Sequence, residues 1–136
     1  MTTISSKKVE VKNSAENIFN FLVDFNNFEK IMPKDKISNW SSNTNECSFE
    51  INGLSSIGMK IEQTSPFKSL KMVSQGKNPF SFTLDVVLEE IGVDRVDSQM
   101  IFNGDINSFL KLVVEKPLSN FFNQLVENLG QVEIKK

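Results

Sequence analysis

The stretch "FLKLVVEKPLSNFFNQLVENLGQ", Phe109 to Gln131, decides how the rest of the chain must fold. Positions 109, 110, 113, 114, 117, 118, 121, 122, 125, 126 and 129 are apolar and recur in pairs three and four apart. That stripe is wider than a coiled-coil seam and suits a helix lying in a concave apolar surface. If continuous, its roughly 23 residues span about 35 Å at about 1.5 Å per residue. Pro117 deletes one backbone donor and frees the carbonyl near Val113, so the pattern predicts a bend or a second helical segment there. Phe109 to Val114 would then form a gating half and Phe121 to Leu129 a packing half.

The surface that such a helix needs lies upstream. Between Lys36 and Asn103 the hydrophobic period is two, with breaks at turn residues, the pattern of an antiparallel meander of six strands. "ECSFEI" sets Cys47, Phe49 and Ile51 on one face, and "IGMKIEQ" sets Ile57, Met59 and Ile61 together. "LKMVSQ" supplies Leu70 and Met72. "FSFTLDVVLEE" has the longest strict alternation, with Phe80, Phe82, Leu84, Val86 and Leu88 opposite Ser81, Thr83, Asp85 and Glu89, and Val87 as the exception. "RVDSQMIFN" aligns Val96, Ser98, Met100 and Phe102. "KISNW" is the least regular, with Ile37 and Trp40 out of phase. One curved sheet with one buried face is the economical solution.

Ahead of the meander, residues 4–12 read as a first strand, with Val9 and Val11 on one face. "NSAENIFNFLVDF" then offers Asn13 as N-cap and Glu16 three residues on, before Ile18, Leu22 and Phe25 at helical spacing. Phe25, Phe28 and Ile31 or Met32 continue as a second short helix that Pro33 ends. No repeat, linker or low-complexity segment divides the 136 residues, so they are expected to form a single domain, 1–136.

Fifteen basic against seventeen acidic residues give a net charge of -2 without a run of either sign, which leaves no footprint for nucleic acid. The start lacks the apolar core of a signal peptide, and no apolar run approaches the roughly 18 residues of a membrane span. A cytoplasmic protein without stable membrane insertion is the expectation. Cys47, the only cysteine, is read as core filling.

The chain has no histidine and no tyrosine but twelve phenylalanines and Trp40. The commonest general base and metal ligand is thus missing, and phenylalanine fills apolar space without a hydroxyl that needs a partner. Such rings fit a closed core and a partly open apolar cavity alike. Carboxylates fall mainly on wet faces, and Asp24, Glu29 and Glu115 fit a cavity mouth or a solvated helix face. No catalytic residue, metal site or cofactor is predicted. Gly53, Gly58 and Gly76 read as turn or bulge residues.

The order strand, two short helices, six-strand meander and long last helix resembles the START-like (SRPBCC) superfamily of polyketide cyclase/dehydrase and lipid-transport proteins. The likeness is carried by "VEVKNSAENIFNFLVDFNNFEKIMP" and "FLKLVVEKPLSNFFNQLVENL" and covers nearly the whole chain. It implies an α+β helix-grip fold, a curved seven-stranded antiparallel sheet wrapped around the C-terminal helix, with two short helices after the first strand. It also implies an internal cavity for a lipid, sterol or polyketide.

Carried onto this chain, the resemblance places Phe49, Ile51, Met59, Ile61, Met72, Phe82, Leu84, Met100 and Phe102 on the cavity wall, with Phe109, Val113, Pro117 and Phe121 from the helix. Ser98, Ser74 and Asn39 are the inward polar candidates, with Ser98 taken as part of the ligand site. The mouth is expected beside "GKNPF" and the first half of the last helix. Enzymatic members of the superfamily use polar groups in the cavity; this chain departs from them, its one arginine, Arg95, standing beside a turn. Binding of a small hydrophobic molecule is therefore the first reading, and it requires a cavity large enough for a guest. A cyclase or dehydrase is the second. A protein-interaction domain, cochaperone-like or ribosome-associated, is the third, favoured by an exposed apolar patch around Trp40, Val73 or Val87.

Overall fold

Residues 1–134 are described by a computed structural model. Two short strands, β1 (Thr2–Ser5) and β2 (Val9–Val11), lead into helices α1 (Ala15–Leu22) and α2 (Phe25–Phe28), the latter extended by a 3-10 turn at Glu29–Ile31. The meander follows as β3 (Ile37–Ser42), β4 (Glu46–Ile51), β5 (Ser55–Ser65), β6 (Ser69–Ser74), β7 (Phe82–Gly92) and β8 (Arg95–Gly104). Helix α3 (Ser108–Gln131) closes the chain. All pairings are antiparallel in the order β1-β8-β7-β6-β5-β4-β3, with β2 also on β8. This is the helix-grip arrangement, with the buried face of the sheet turned toward α3.

The expected first strand over 4–12 is interrupted. Ser5 lies opposite Ile101 whereas Val9 lies opposite Ser98, so one extra residue is accommodated at Lys7 and Lys8. The buried Ser6 holds the ladder across the gap: its N–H donates to the Met100 carbonyl at 2.8 Å, and its hydroxyl accepts from the Met100 N–H at 2.9 Å. The bulge turns the Lys7 N–H to the Asn123 side chain on α3, 2.8 Å away, and Lys7 Nζ pairs with Glu127. An irregularity in the edge strand thus becomes an anchor for the last helix.

Capping also differs by one residue from the sequence reading. Ser14, not Asn13, is the N-cap of α1, accepting from Asn17 N–H at 3.1 Å. Asn13 instead braces the cap, accepting from the Ser14 N–H and the Asn17 side chain. Pro33 acts as expected, since Met32 before it is extended at ψ 139 and ends the helical run. The out-of-phase Trp40 has a cause too. The β3–β4 register shifts between Ser38 and Ser41, Asn39 takes φ 56, and Trp40 swings inward to stack on Phe49 with ring centroids 5.5 Å apart.

Gly53 and Gly76 serve turns at φ 80 and φ 75. Gly58 has another reason: it sits inside β5, and a Cβ there would lie 2.3 Å from the Gln75 carbonyl oxygen. The β6–β7 loop is folded tightly onto that strand, where the Asn78 side chain accepts from Gly58 N–H and donates to the carbonyls of Gly58, Gln75 and Gly76.

Candidate functional site

Where α3 crosses the sheet, thirteen side chains surround one narrow slot: Met32, Phe49, Ile51, Ile57, Met59, Phe80, Phe82, Leu84, Phe102, Leu118, Phe121, Phe122 and Leu125. None carries a hydroxyl, amide or charge. The rings interlock, with Phe82 stacked on Phe102 at 5.4 Å, Phe102 on Phe122 at 5.3 Å and Phe49 on Phe121 at 6.3 Å between centroids. The resulting void is about 20 Å³. That overturns the expected guest-sized cavity, because hosting a small molecule takes on the order of 300 Å³ or more. The phenylalanines close the space that smaller inward residues would leave.

Of the residues placed on the wall by sequence, Phe49, Ile51, Met59, Phe82, Leu84, Phe102 and Phe121 meet at the slot. Met72 and Met100 are fully buried elsewhere in the core, and Ile61 is half-buried; none of the three touches the slot. Ser98 is 0% exposed, and its hydroxyl donates to the Val9 carbonyl at 3.0 Å, so it ties β8 to β2 and does not face the slot. Ser74 accepts from the Phe82 N–H, and Asn39 is exposed on the bulge.

Phe109 and Val113 are corrections of a different kind, being 79% and 60% exposed and joined by Leu112 at 86%. At about 100° per residue, Leu110, Val114, Leu118, Phe121 and Leu125 face the core, and Phe109, Leu112 and Val113 fall on the opposite side. Wide apolar spacing in "FLKLVV" covers both faces at once, which is why sequence alone did not separate them. The residues that reasoning left off the wall had visible signals. Ile57 and Phe80 are in phase with Met59 and Phe82, while Leu118, Phe122 and Leu125 belong to the helical stripe.

Pro117 is exposed and α3 remains helical through it, so of the two expected outcomes, a bend or a second segment, the second segment is not formed. The carbonyl it frees, near Val113, is on the outer side of the helix, where water can satisfy it. The two halves of α3 are nonetheless unequal. Before Pro117 only Val114 is buried and Leu110 half-buried; after it Leu118, Phe121, Phe122, Leu125, Val126 and Leu129 are all buried.

Beside Pro117 the surface dips into a depression of about 380 Å³ bounded by Asp35, Lys36, Ile51, Asn52, Lys116, Pro117, Asn120 and Phe121. Ile51 and Phe121 border both the depression and the slot, so the two lie on either side of these side chains, and a guest entering from the depression would have to part them. Phe80, from the stretch expected at the mouth, lines the slot itself. A wider cleft of about 680 Å³ lies along β3, β4 and β5, where outward residues such as Ser41, Ser48, Ser56, Glu46 and Glu50 make it polar and open to solvent.

Among the described residues, electrostatic perturbation lies away from the slot's interior. Burial pushes the Cys47 thiol up to about 12, which leaves it protonated and inert. Glu10 is held below its ordinary value chiefly by the side-chain hydrogen bond from Arg95, a two-pronged contact at 3.1 and 3.0 Å that ties β2 to the start of β8. Among the described residues, no group of three or more carboxylate or thiol side chains is placed to hold a metal ion. Likewise, no helix among them is long and apolar enough to cross a membrane.

No family model and no curated protein matches the chain. Solved structures do. A START superfamily protein from Mycobacterium smegmatis is 16% identical, covering 96% of this chain and 99% of its own, with a TM-score of 0.69. The di-domain ARO/CYC protein BexL is 12% identical over 95% of this chain and 46% of its own, at a TM-score of 0.66. The Aha1 dimer from Colwellia psychrerythraea is 20% identical, covering 97% of this chain and 100% of its own, at a TM-score of 0.62. At such identities the likeness is one of fold.

Proposed function

We propose, for a chain that has the START-like helix-grip fold, that it is a non-catalytic module which binds a small hydrophobic molecule between α3 and the sheet, and that the site is shut when empty. One observation carries this reading: thirteen wholly apolar residues line a slot, and the part of α3 that leads into its first helical residue, Leu118, is held inward by Leu110 and Val114 alone. With a void of only about 20 Å³, the rings must part to admit a guest, so binding requires an open conformation that the ligand makes dominant.

Trp40 supplies the test. It is the only tryptophan and stacks on Phe49, a slot residue, so a guest that displaces Phe49 must change its emission. Saturable titration with an apolar probe such as dodecanol, together with co-purifying lipid-like compounds in native mass spectrometry, is the expected result. Absence of saturable binding by both fluorescence and calorimetry would overturn the reading.

The protein-interaction reading has its own observation, although not the expected one. Trp40, Val73 and Val87 are half-buried, whereas Phe109, Leu112 and Val113 are exposed together on α3. A cross-linked partner lost on changing Leu112 to Ser, with dodecanol binding unaffected, would favour it. The cyclase reading needs a polar group at the reacting centre, and the slot lining offers only hydrocarbon and thioether.

A further inference from the structure

Resting on the slot reading, we infer the chemical class of the ligand: a single-chain amphiphile whose tail enters the slot and whose anionic head group, carboxylate or phosphate, stays in the mouth between Lys36 and Lys116. The two compartments differ sharply in chemistry. The slot is hydrocarbon and thioether throughout, so it accepts no second polar end. The depression next to it, separated from it by Ile51 and Phe121 and taken here as its mouth, is bordered by two lysines, by Asn120 and by one acid, Asp35.

Neither lysine is engaged in an ion pair among the described residues, where the pairs formed are Lys7–Glu127, Arg95–Glu10 and Lys111–Glu115. The nearest acid on the same helix, Glu115, is taken up by Lys111 at 3.7 Å. The mouth therefore has a local excess of one positive charge on a protein whose net charge is -2.

The placement of the two cations adds a mechanical consequence. Lys36 is fixed, its N–H donating to the Pro33 carbonyl at 2.9 Å and its own carbonyl accepting from Asn52 N–H at 2.9 Å. Lys116 rides on α3 immediately before Pro117, at the end of the loosely held half. An anion bridging them would tie the Pro117 end of α3 to the body of the protein, next to Leu118 and Phe121 of the slot. A neutral head leaves the closure unaided.

The experiment compares dodecanoate, dodecyl phosphate, dodecanol and dodecylammonium below their aggregation concentrations, read by Trp40 emission and calorimetry. The anionic probes should bind about tenfold tighter than dodecanol, two partly exposed charge pairs contributing a few-fold each, and the preference should shrink with added salt. In the Lys36→Gln/Lys116→Gln variant, with folding verified by circular dichroism, the anions should fall to the level of dodecanol while dodecanol itself is unchanged. The tighter of the two anions identifies the head. If dodecanol binds as well as the anions, if dodecylammonium binds best, or if the variant keeps the anion preference, the head-group inference is wrong and the apolar slot stands. If no probe saturates, the slot reading itself fails.

Discussion

Replacing Val114 by alanine should tighten ligand binding while weakening the fold. Val114 is 1% exposed, lies in the first half of α3 and does not line the slot, so the change leaves the wall untouched. If the slot opens at Leu118, its residue nearest Pro117, the half of α3 before it lifts too and exposes Val114 and the covered part of Leu110, a cost of roughly 3 kcal/mol when a buried aliphatic side chain contributes about 1.5–3 kcal/mol. The open form is then populated at about 1% or less, and apparent affinity is reduced about 100-fold from its intrinsic value. Deleting two methyl groups removes roughly 1.6 kcal/mol from the closed form alone, at about 0.8 kcal/mol per group. The open fraction should rise about tenfold, and dodecanol or dodecanoate should bind about tenfold tighter. Val126→Ala is the control: it is the same change at an equally buried site outside the slot, in the packed half. Urea denaturation should report a similar loss for both variants and Trp40 titration a gain for Val114→Ala only. Equal affinities in the two variants would refute the opening step.

Three further outcomes test the frame around that step. Pro117→Ala restores a missing helical hydrogen bond at an exposed position, so the urea midpoint should rise by an amount worth about 1–3 kcal/mol, less any relief the proline already finds; an unchanged midpoint would mean the helix is not continuous in solution. Gly58→Ala places a Cβ against the Gln75 carbonyl oxygen, 2.3 Å away, and should cost roughly 2–4 kcal/mol as the Asn78-clamped loop is pushed off β5. Glu10 titrates in the folded state below its ordinary 4.5, chiefly because Arg95 hydrogen-bonds its carboxylate. A lowered carboxylate adds stability above the unfolded value that is lost as pH falls through the folded one. The gap in urea midpoint between wild type and Glu10→Gln should therefore be present at pH 7 and close at acidic pH below 4.5; a gap equal at both would show that the pair is not the source.

Alternation and helical spacing were sufficient for the element order, because one face of each strand and one stripe of α3 must leave water whatever the details. Phe82, Leu84 and Phe102 could be placed inward for that reason alone. What the pattern does not contain is depth. Whether Phe80, Phe82, Phe102, Phe121 and Phe122 surround a cavity or fill it depends on how the rings pack against each other, which has no one-dimensional signature. Sequence likewise saw the irregularity of "KISNW" without its outcome, the Asn39 bulge that lets Trp40 reach Phe49. Phe109 and Val113 were misplaced because a helix that overhangs its sheet keeps its apolar spacing after the surface beneath it has ended.

That overhang explains why α3 is divided in stability although it is continuous in structure. Beyond Pro117 the helix is tied at two places: Asn128 donates to the Ile31 carbonyl at 2.8 Å, and Lys7 is held twice, its N–H by Asn123 at 2.8 Å and its ammonium by Glu127. Its outer face there is polar, with Ser119, Asn120, Asn123 and Glu127. Before Pro117 the helix has the Asn107 cap, the exposed Lys111–Glu115 pair and one buried side chain. Local opening free energy follows buried apolar contacts, so it should step down at the proline. Amide exchange of the apo protein should show fast protection loss from Leu110 to Lys116 and near-global protection from Phe121 to Leu129. An amphiphile packed against Leu118 should slow the first group selectively, since holding Leu118 down holds the half that leads into it, while the second group is already near the global limit. Uniform protection along α3, or slowing confined to the second half, would mean that the helix moves as one body and that closure over a ligand is not its role.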